Sequence, residues 1–241
     1  ESIKRMEAIE PIVLSKTDFH FITEIKKKSP SMGLLSEKNF DIKTQAEQYT
    51  KGGASLISIL TEPTQFSGSL EDLSTIAEMK LDIPLMRKDF LVHPYQVSEA
   101  RYYGAHGVLL IIGILNDQLL EKMVLRCLEH DMFAILEVFN QSELDRANDM
   151  IKKTDGAIDS FLLGVNCRDL KSLKVDFTNF EKQNFLSKQT FKNKEYKWSS
   201  GIEIRLNGFS FYSYPTAIEY SCHIPVFDDN NYIPKQYLKI L

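Results

Sequence analysis

A chain of 241 residues is long enough to bury a sizeable core in one large domain, and α/β barrels commonly have this length. Hydrophobic residues make up 43% and charged residues 26%, and the formal net charge is -4, which is ordinary for a globular protein and excludes a strong basic bias towards nucleic acid. No apolar run reaches the roughly 18 to 20 residues of a membrane-spanning helix, and the opening ESIKRMEAIEP lacks the apolar core of a signal peptide. We therefore expect neither nucleic acid nor a membrane as a partner.

The cysteines Cys127, Cys167 and Cys222 are odd in number and widely spaced. This pattern fits neither a disulfide framework nor a zinc site, and the five histidines also lack ligand spacing. We expect no metal site and a reducing, cytoplasmic compartment. The start at Glu1 rather than at Met indicates a trimmed or processed N-terminus.

Short apolar segments alternate with amphipathic stretches along the chain. The predicted strands are FHFITEI (19–25), SLISIL (55–60), IPLMRKDF (83–90), GVLLII (107–112), MFAILEVF (132–139), FLLGVN (161–166) and, more weakly, EYKWSS (195–200). The predicted helices are DIKTQAEQY (41–49), LEDLSTIAEM (70–79), YQVSEARYYG (95–104), NDQLLEKMVLRCLEH (116–130), QSELDRAND (141–149) and DFTNFEKQNF (176–185). Strands that are almost continuously apolar are typical of parallel sheets covered on both faces.

Six or seven such βα units in a row, without a G-x-G-x-x-G turn, favour a parallel barrel over a Rossmann sheet. We predict one α/β domain over residues 1–241, a (βα)8 TIM barrel. Its eighth βα unit is atypical, because the tail is rich in aromatic residues and three prolines interrupt any regular pattern. AIEYSCHIPV (217–226) is the predicted last strand.

Inward-facing residues at the carboxyl ends of barrel strands line the active site. In this chain the predicted strand ends carry carboxylate, ammonium, amide, guanidinium and hydroxyl groups. They are Glu24 and Lys26 on the first strand, Lys88 on the third, Glu137 on the fifth, Asn166 and Arg168 on the sixth, and Ser199 or Ser200 on the seventh. Such a set suits acid–base chemistry on an anionic, oxygen-rich small molecule.

Each of these residues also has an ordinary explanation. Lys26 and Lys88 are strand-end lysines, which are commonly solvated, and RKDF (87–90) could form a surface ion pair of little energetic consequence. Glu137 is harder to dismiss, because its neighbours are apolar and a buried carboxylate without a partner is costly. SPSMG (29–33) is explained equally by a simple turn.

Several motifs, in order along the chain, resemble the indole-3-glycerol phosphate synthase family. They are EIKKKSPSMG (24–33), YTKGGASLISILTEPTQFSGSLEDL (49–73), IPLMRKDFLVHPYQVSEARYYGAHGVLLI (83–111), ILEVFNQSEL (135–144) and LLGVNCRDLKSLKVD (162–176). The resemblance implies a (βα)8 fold and ring closure of 1-(2-carboxyphenylamino)-1-deoxyribulose 5-phosphate, with loss of carbon dioxide and water. It implies a phosphorylated small-molecule substrate and no metal or organic cofactor.

The resemblance also implies catalytic roles. Lys88 matches the general acid that protonates the ketone oxygen, and Glu137 matches the general base. Lys26 matches a lysine of the mobile first loop that contacts the substrate carboxylate, and Glu24 matches the carboxylate that orients it. The reaction needs such groups, since a ketone must be polarised, a proton removed and a carboxylate held.

Further residues match substrate contacts of the family. Ser29 matches a phosphate contact, and Asn166 and Arg168 match residues that hold the substrate and its loop. Ser200 and Gly201 match the end of the seventh strand, which shares in binding the phosphate.

After the seventh strand the resemblance fails. The family has Glu-Ser-Gly-Ile where this chain has SSGI, so Ser199 stands in place of a glutamate that contacts the reacting part of the substrate. EYSCHIP (219–225) contains no glycine, whereas the family has a Gly-x-Ser-type turn for the phosphate at about this distance.

Other hypotheses therefore stay open. One is a catalytically impaired barrel that binds a metabolite or a protein partner, and another is an enzyme that acts on a related N-aryl amino sugar phosphate. A scrambled C-terminal segment in a formerly ordinary enzyme would explain the departures as well. The family includes monomers and fusions, so a monomer is among the expected states.

Overall fold

The computed structural model describes residues 20–29, 33–34, 40–154, 160–166, 200–206 and 218–224. Its strands are β1 (His20–Ile25), β2 (Lys28–Ser29), β3 (Gly33–Leu34), β4 (Leu56–Leu60), β5 (Leu85–Lys88), β6 (Gly107–Ile111), β7 (Phe133–Val138), β8 (Phe161–Val165), β9 (Ser200–Leu206) and β10 (Ile218–Ile224). Its helices are α1 (Ile42–Lys51), α2 (Leu70–Ala77), α3 (Pro94–Tyr102), α4 (Asp117–Glu129) and α5 (Gln141–Lys153), with a 3₁₀ turn at Ile112–Ile114.

Six strands form a parallel sheet in the order β1, β4, β5, β6, β7 and β8. Helices α1 to α5 each follow one of its first five strands, so the predicted βα repeat is confirmed over this part of the chain. The predicted helix at 176–185 lies outside the described residues.

The strands separate two apolar layers by their two-residue period. Side chains on one face pack with the helices, as Ile57, Val108 and Leu136 do in the larger buried cluster. Side chains on the other face form a smaller cluster inside the curved sheet, as Ile111 and Ile135 do. The buried residues alternate between these layers until the polar strand ends are reached.

The C-terminal strands differ from the predicted parallel pattern. The predicted last strand is confirmed in place, because β10 spans Ile218–Ile224, but it runs antiparallel to β1. It pairs antiparallel with β9 as well, so β9 is again parallel to β1. β9 also lies beside β8, and the sheet thereby curves round towards closure. The weak seventh strand was predicted at 195–200, whereas β9 begins only at Ser200, and 195–199 lie outside the described residues.

Polar caps start each helix directly after its loop. Asp41, Ser69, Asn116 and Asn140 accept hydrogen bonds from backbone N–H groups in the first turns of α1, α2, α4 and α5. His93 does the same for α3 in a capping box with Gln96. These caps determine how the chain leaves the strand ends, where the polar residues lie.

The turn between β4 and α2 depends on a glycine. A Cβ atom added at Gly68 would lie 2.1 Å from the carbonyl oxygen of Leu60. Because that oxygen belongs to the backbone, a Gly68→Ala variant must move the strand end, and we expect a loss of about 1 to 3 kcal/mol in the free energy of unfolding. Urea denaturation measures the change.

The neighbouring residue provides the control. Ser67 has a φ of 54°, which glycine adopts more readily than serine. Ser67→Gly should leave stability equal or higher. Equal stability of Gly68→Ala and the wild type would contradict the close approach to Leu60.

Candidate active site

Several of the polar residues predicted from the strand ends meet at one edge of the barrel. Lys88 is the last residue of β5 and pairs in register with Leu60 of β4. Glu137 lies near the end of β7 in register with Ile111, and Asn166 directly follows β8. Since parallel strands end on the same side of a sheet, this edge is the mouth of the barrel.

Glu24 is the centre of an ion-pair cluster at this mouth. Its Oε1 accepts a hydrogen bond from Nζ of Lys26, and its Oε2 accepts one from Nζ of Lys88. The Glu24 side chain is 6% exposed, against 12% for Lys26 and 33% for Lys88. One carboxylate and two ammonium groups leave a net positive charge, which favours an anionic ligand. Lys88 is the most exposed of the three side chains.

Glu137 and Asn166 form a second polar pair. Nδ2 of Asn166 donates to Oε1 of Glu137 at 3.1 Å, and the backbone N–H of Asn166 donates to the carbonyl of Val138 at 2.9 Å. Although Glu137 is partly accessible, its carboxylate is enclosed by protein, and this burial raises its pKa. The hydrogen bond from Asn166 and the charge of Lys88 oppose the rise in pKa, while the charges of Glu143 and Glu24 add to it.

Lys27 comes two residues after the end of β1 and points towards α2. Its Nζ donates to both carboxylate oxygens of Asp72 in α2, at 2.6 and 2.7 Å. The N–H of Lys28 donates to the carbonyl of Phe66 at 3.1 Å. These contacts hold the end of β1 against the β4–α2 connection, so Lys26 leaves the strand towards the barrel interior.

Arg87 lies on the helix side of β5, behind Lys88. It is 4% exposed, and its guanidinium donates to Asp89 at 3.0 Å, to Glu99 at 2.8 Å and to the hydroxyl of Thr61 at 3.1 Å. The interpretation of RKDF as a surface ion pair is therefore wrong. Asp89, which also accepts a hydrogen bond from Thr61 at 2.6 Å, is bound on the helix side rather than to Lys88.

An aromatic pair beside the cluster was missed by sequence reasoning. The rings of Phe66 and Phe90 lie 6.4 Å apart between centroids, and Phe90 is 41% exposed. Both residues follow neighbouring strands, β4 and β5, on the side of the mouth. Because Phe90 lies two residues after Lys88, the sequence could have predicted Phe90 near the mouth. Its contact with Phe66 could not be predicted, because Phe66 belongs to a different connection.

Among the described contacts, none brings the remaining predicted substrate-binding residues into the ion-pair cluster. Ser29 is 4% exposed in the short β2–β3 hairpin, where it pairs with Gly33, and its phosphate contact stays a prediction. Arg168 lies outside the described residues.

Ser200 and Gly201 lie where β9 starts, whereas the sequence predicted them at a strand end. Gly201 pairs with His223, and His223 pairs with His20 at the beginning of β1. In the described backbone these two residues are therefore at the end of the barrel opposite the mouth. The physical reason is that β9 runs parallel to β1 and begins, rather than ends, at Ser200.

Within the described ranges, no group of three or more histidine, cysteine, aspartate or glutamate side chains is arranged to hold a metal ion. In the same ranges no helix combines the length and apolar character needed to cross a membrane. Cys127 is buried in α4, and this burial raises the pKa of its thiol to about 12, so it is an inert core residue.

A family model for indole-3-glycerol phosphate synthase matches residues 4–206. An indole-3-glycerol phosphate synthase of Mycolicibacterium smegmatis is 42% identical over 161 residues, which is 67% of this chain and 56% of that protein. One from Zymomonas mobilis subsp. pomaceae is 37% identical over 185 residues, covering 77% of this chain and 65% of that protein. The chain thus spans between about half and two thirds of the length of these curated relatives.

Solved structures add a likeness in fold. A 7,8-dihydropteroate synthase from Vibrio fischeri ES114 superposes with a TM-score of 0.54 at 14% identity, over 80% of this chain and 78% of that one. A dihydropteroate synthase from Coxiella burnetii gives a TM-score of 0.53 at 14% identity, over 77% and 73% of the two chains. At this identity the likeness concerns the barrel alone.

The buried guanidinium of Arg87 generates a stability prediction. Arg87→Met would leave the carboxylates of Asp89 and Glu99 without their cation, and we expect a loss of about 3 to 5 kcal/mol in the free energy of unfolding. Lys51→Met is the control, because among the described residues Lys51 makes only an exposed ion pair with Glu47, and its loss should cost no more than about 1 kcal/mol. Similar losses in both variants, measured by urea denaturation, would contradict a buried network.

The raised pKa of Glu137 predicts a pH-dependent cost in stability. Below the unfolded-state pKa the carboxyl is protonated in both states and costs nothing, whereas above the higher folded-state pKa the full cost of a buried charge is present. Glu137→Gln should therefore increase the free energy of unfolding at neutral pH, and the gain should vanish below about pH 4. Urea denaturation from pH 3.5 to 8 checks this. A gain that is independent of pH would contradict it.

Proposed function

Because the chain belongs to the indole-3-glycerol phosphate synthase family, we propose that it catalyses the family reaction. The substrate would be 1-(2-carboxyphenylamino)-1-deoxyribulose 5-phosphate, and ring closure with loss of carbon dioxide and water would give indole-3-glycerol phosphate in tryptophan biosynthesis. The protein would then be a carboxy-lyase.

One observation carries this proposal. Two lysines, Lys26 and Lys88, bind the same buried carboxylate of Glu24. The charge of Lys88 also acts on the carboxylate of Glu137, whose pKa it lowers against the effect of burial. A proton donor and a proton acceptor thus share one mouth, as ring closure onto a ketone requires.

Lys88 is the proposed general acid. Its ammonium group is the most exposed of the cluster, so it can donate a proton to the substrate ketone oxygen while Glu24 holds its position. Protonation makes the ketone carbon electrophilic, and the aromatic ring can then attack it. Lys26 would bind the substrate carboxylate and assist the later loss of carbon dioxide and water.

Glu137 is the proposed general base. Its raised pKa makes it a better proton acceptor than an ordinary solvated carboxylate, and the hydrogen bond from Asn166 fixes the direction in which it points. The new carbon–carbon bond forms at the ring carbon that bears the carboxylate, and loss of carbon dioxide then restores the aromatic ring. Glu137 would next remove a proton from the methylene carbon beside the nitrogen, while the hydroxyl formed from the ketone leaves as water. The reaction uses acid–base steps alone, so no cofactor is proposed.

The aromatic pair supports the same substrate. Phe66 and Phe90 offer an exposed apolar surface beside Lys88, on which the flat carboxyphenyl ring could stack. The phosphate would be bound by Ser29 and Arg168. We also propose that residues 1–241 form a single domain that acts as a cytoplasmic monomer.

A second function is favoured by one specific observation. Ser200 and Gly201 lie away from the mouth in the described backbone, and Ser199 replaces the family glutamate. The alternative is therefore a barrel that has lost the reaction and binds a metabolite or a protein partner, or that acts on a related N-aryl amino sugar phosphate. Ser199→Glu separates an active enzyme, on either substrate, from a barrel that has lost the reaction, because it should raise turnover only in an active enzyme.

Incubation with 1-(2-carboxyphenylamino)-1-deoxyribulose 5-phosphate, followed by indole fluorescence, tests the proposal. Wild-type protein should form product, and Lys88→Ala should lose about 10²- to 10⁴-fold in kcat, the usual contribution of a general acid. Lys122→Ala, an exposed change on α4, should match the wild type. No product above the Lys88→Ala background, with folded protein, would favour the alternative.

A further inference from the structure

Glu143, in the first turn of α5, binds the connection that follows Glu137. Its Oε2 accepts a hydrogen bond from the backbone N–H of Phe139 at 2.7 Å, and its Oε1 accepts one from Nδ2 of Asn140 at 2.9 Å. Its own N–H donates to Oδ1 of Asn140 at 3.0 Å. Glu143 therefore holds both residues that connect β7 to α5.

The same carboxylate also packs against the turn after β6. A Cβ atom added at Gly113 would lie 3.0 Å from Oε1 of Glu143. Gly113 comes two residues after Ile111, which is the register partner of Glu137. Glu143 thus lies behind the adjoining ends of β6 and β7.

Four groups from four elements act on the Glu137 carboxylate. Asn166 after β8 and Lys88 of β5 favour its charged form, whereas the charges of Glu143 from α5 and Glu24 from β1 disfavour it. Burial is the largest influence and also disfavours the charge. Of the two acidic neighbours, Glu24 is bonded to both lysines of the mouth, while Glu143 is bonded to neutral donors.

We propose that Glu143 is a positioning residue for the general base: it fixes the β7–α5 connection so that Glu137 faces the mouth, and it supplies a negative charge behind it. This inference rests on the proposed function, in which Glu137 is the base. Glu143 acts through Glu137 and need not touch the substrate. Without its charge Glu137 would hold a proton less readily, and a weaker base would accept the substrate proton more slowly.

Glu143→Gln is the sharpest test, because glutamine keeps an oxygen for the N–H of Phe139 but carries no charge. The titration of Glu137 can be followed without substrate by ¹³C NMR of labelled glutamate carboxyls, with Glu137→Gln to assign the signal. We expect the titration midpoint of Glu137 to move to lower pH. The acidic limb of the kcat/KM profile should move in the same direction.

Asp145→Asn is the matched control on the same helix. Asp145 is exposed and bonds only to Gln141 in the described contacts, at 2.9 Å, so its loss removes one negative charge from α5 without touching the β7–α5 connection. In the Asp145→Asn variant, the titration curve of Glu137 should match that of the wild type. An unchanged midpoint in Glu143→Gln, or an equal shift in Asp145→Asn, would overturn the inference.

Glu143→Asp keeps the charge but shortens the side chain, and it tests the positioning role if the glutamine variant does not fold. It should lower kcat with little change in KM, and wild-type kcat in this variant would overturn that role. The NMR titration needs no turnover. A shifted midpoint in a protein without activity would therefore count against the proposed function alone.

Discussion

The polar mouth depends on the alternation of side chains in the parallel strands. Each strand sends one set of residues to the helices and the other to the barrel interior, and the interior set changes from apolar to polar at the strand ends. On β7, Ile135 belongs to the inner apolar cluster, and Glu137, two residues later, belongs to the mouth. A slip of one residue in register would put Glu137 among the helices and leave the mouth without this carboxylate.

The charges that lie on the helix side are as important as those in the mouth. Lys27 and Arg87 are direct neighbours of Lys26 and Lys88, but each is paired with carboxylates of the helix layer. This pairing satisfies the buried carboxylates there and leaves Glu24 as the described ion-pair partner of both mouth lysines. The same division leaves the Glu24 cluster with two ammonium groups and one carboxylate, a net positive charge, although the chain has a formal net charge of -4.

The C-terminal part of the sheet departs from the regular barrel repeat. A strand that runs antiparallel beside β1 pairs its backbone as fully as a parallel one, so it satisfies the edge of the sheet. Because of its direction, however, the first residues of β10 lie towards the mouth, whereas in a parallel strand the last residues would. The residues of the proposed acid–base chemistry lie on or directly after β1, β5, β7 and β8. Their positions therefore do not depend on the direction of β10.

The sequence by itself determined the βα repeat, the family and the positions of the polar strand ends. Apolar strands with a period of two have a direct physical signature, and Glu24, Lys26, Lys88, Glu137 and Asn166 could each be assigned to a strand end from it. Those five residues meet at one mouth in the structure.

Only the tertiary structure decided which groups touch. That Glu24 is shared by two lysines, that Phe66 meets Phe90 and that Glu143 reaches back to Phe139 depend on distances between separate elements or around a helix cap. The burial of Arg87 and the direction of β10 were likewise not readable from local pattern. The physical reason is that periodicity reports the face of a strand on which a residue lies, whereas contacts between strands depend on register, direction and helix packing, which no single segment encodes.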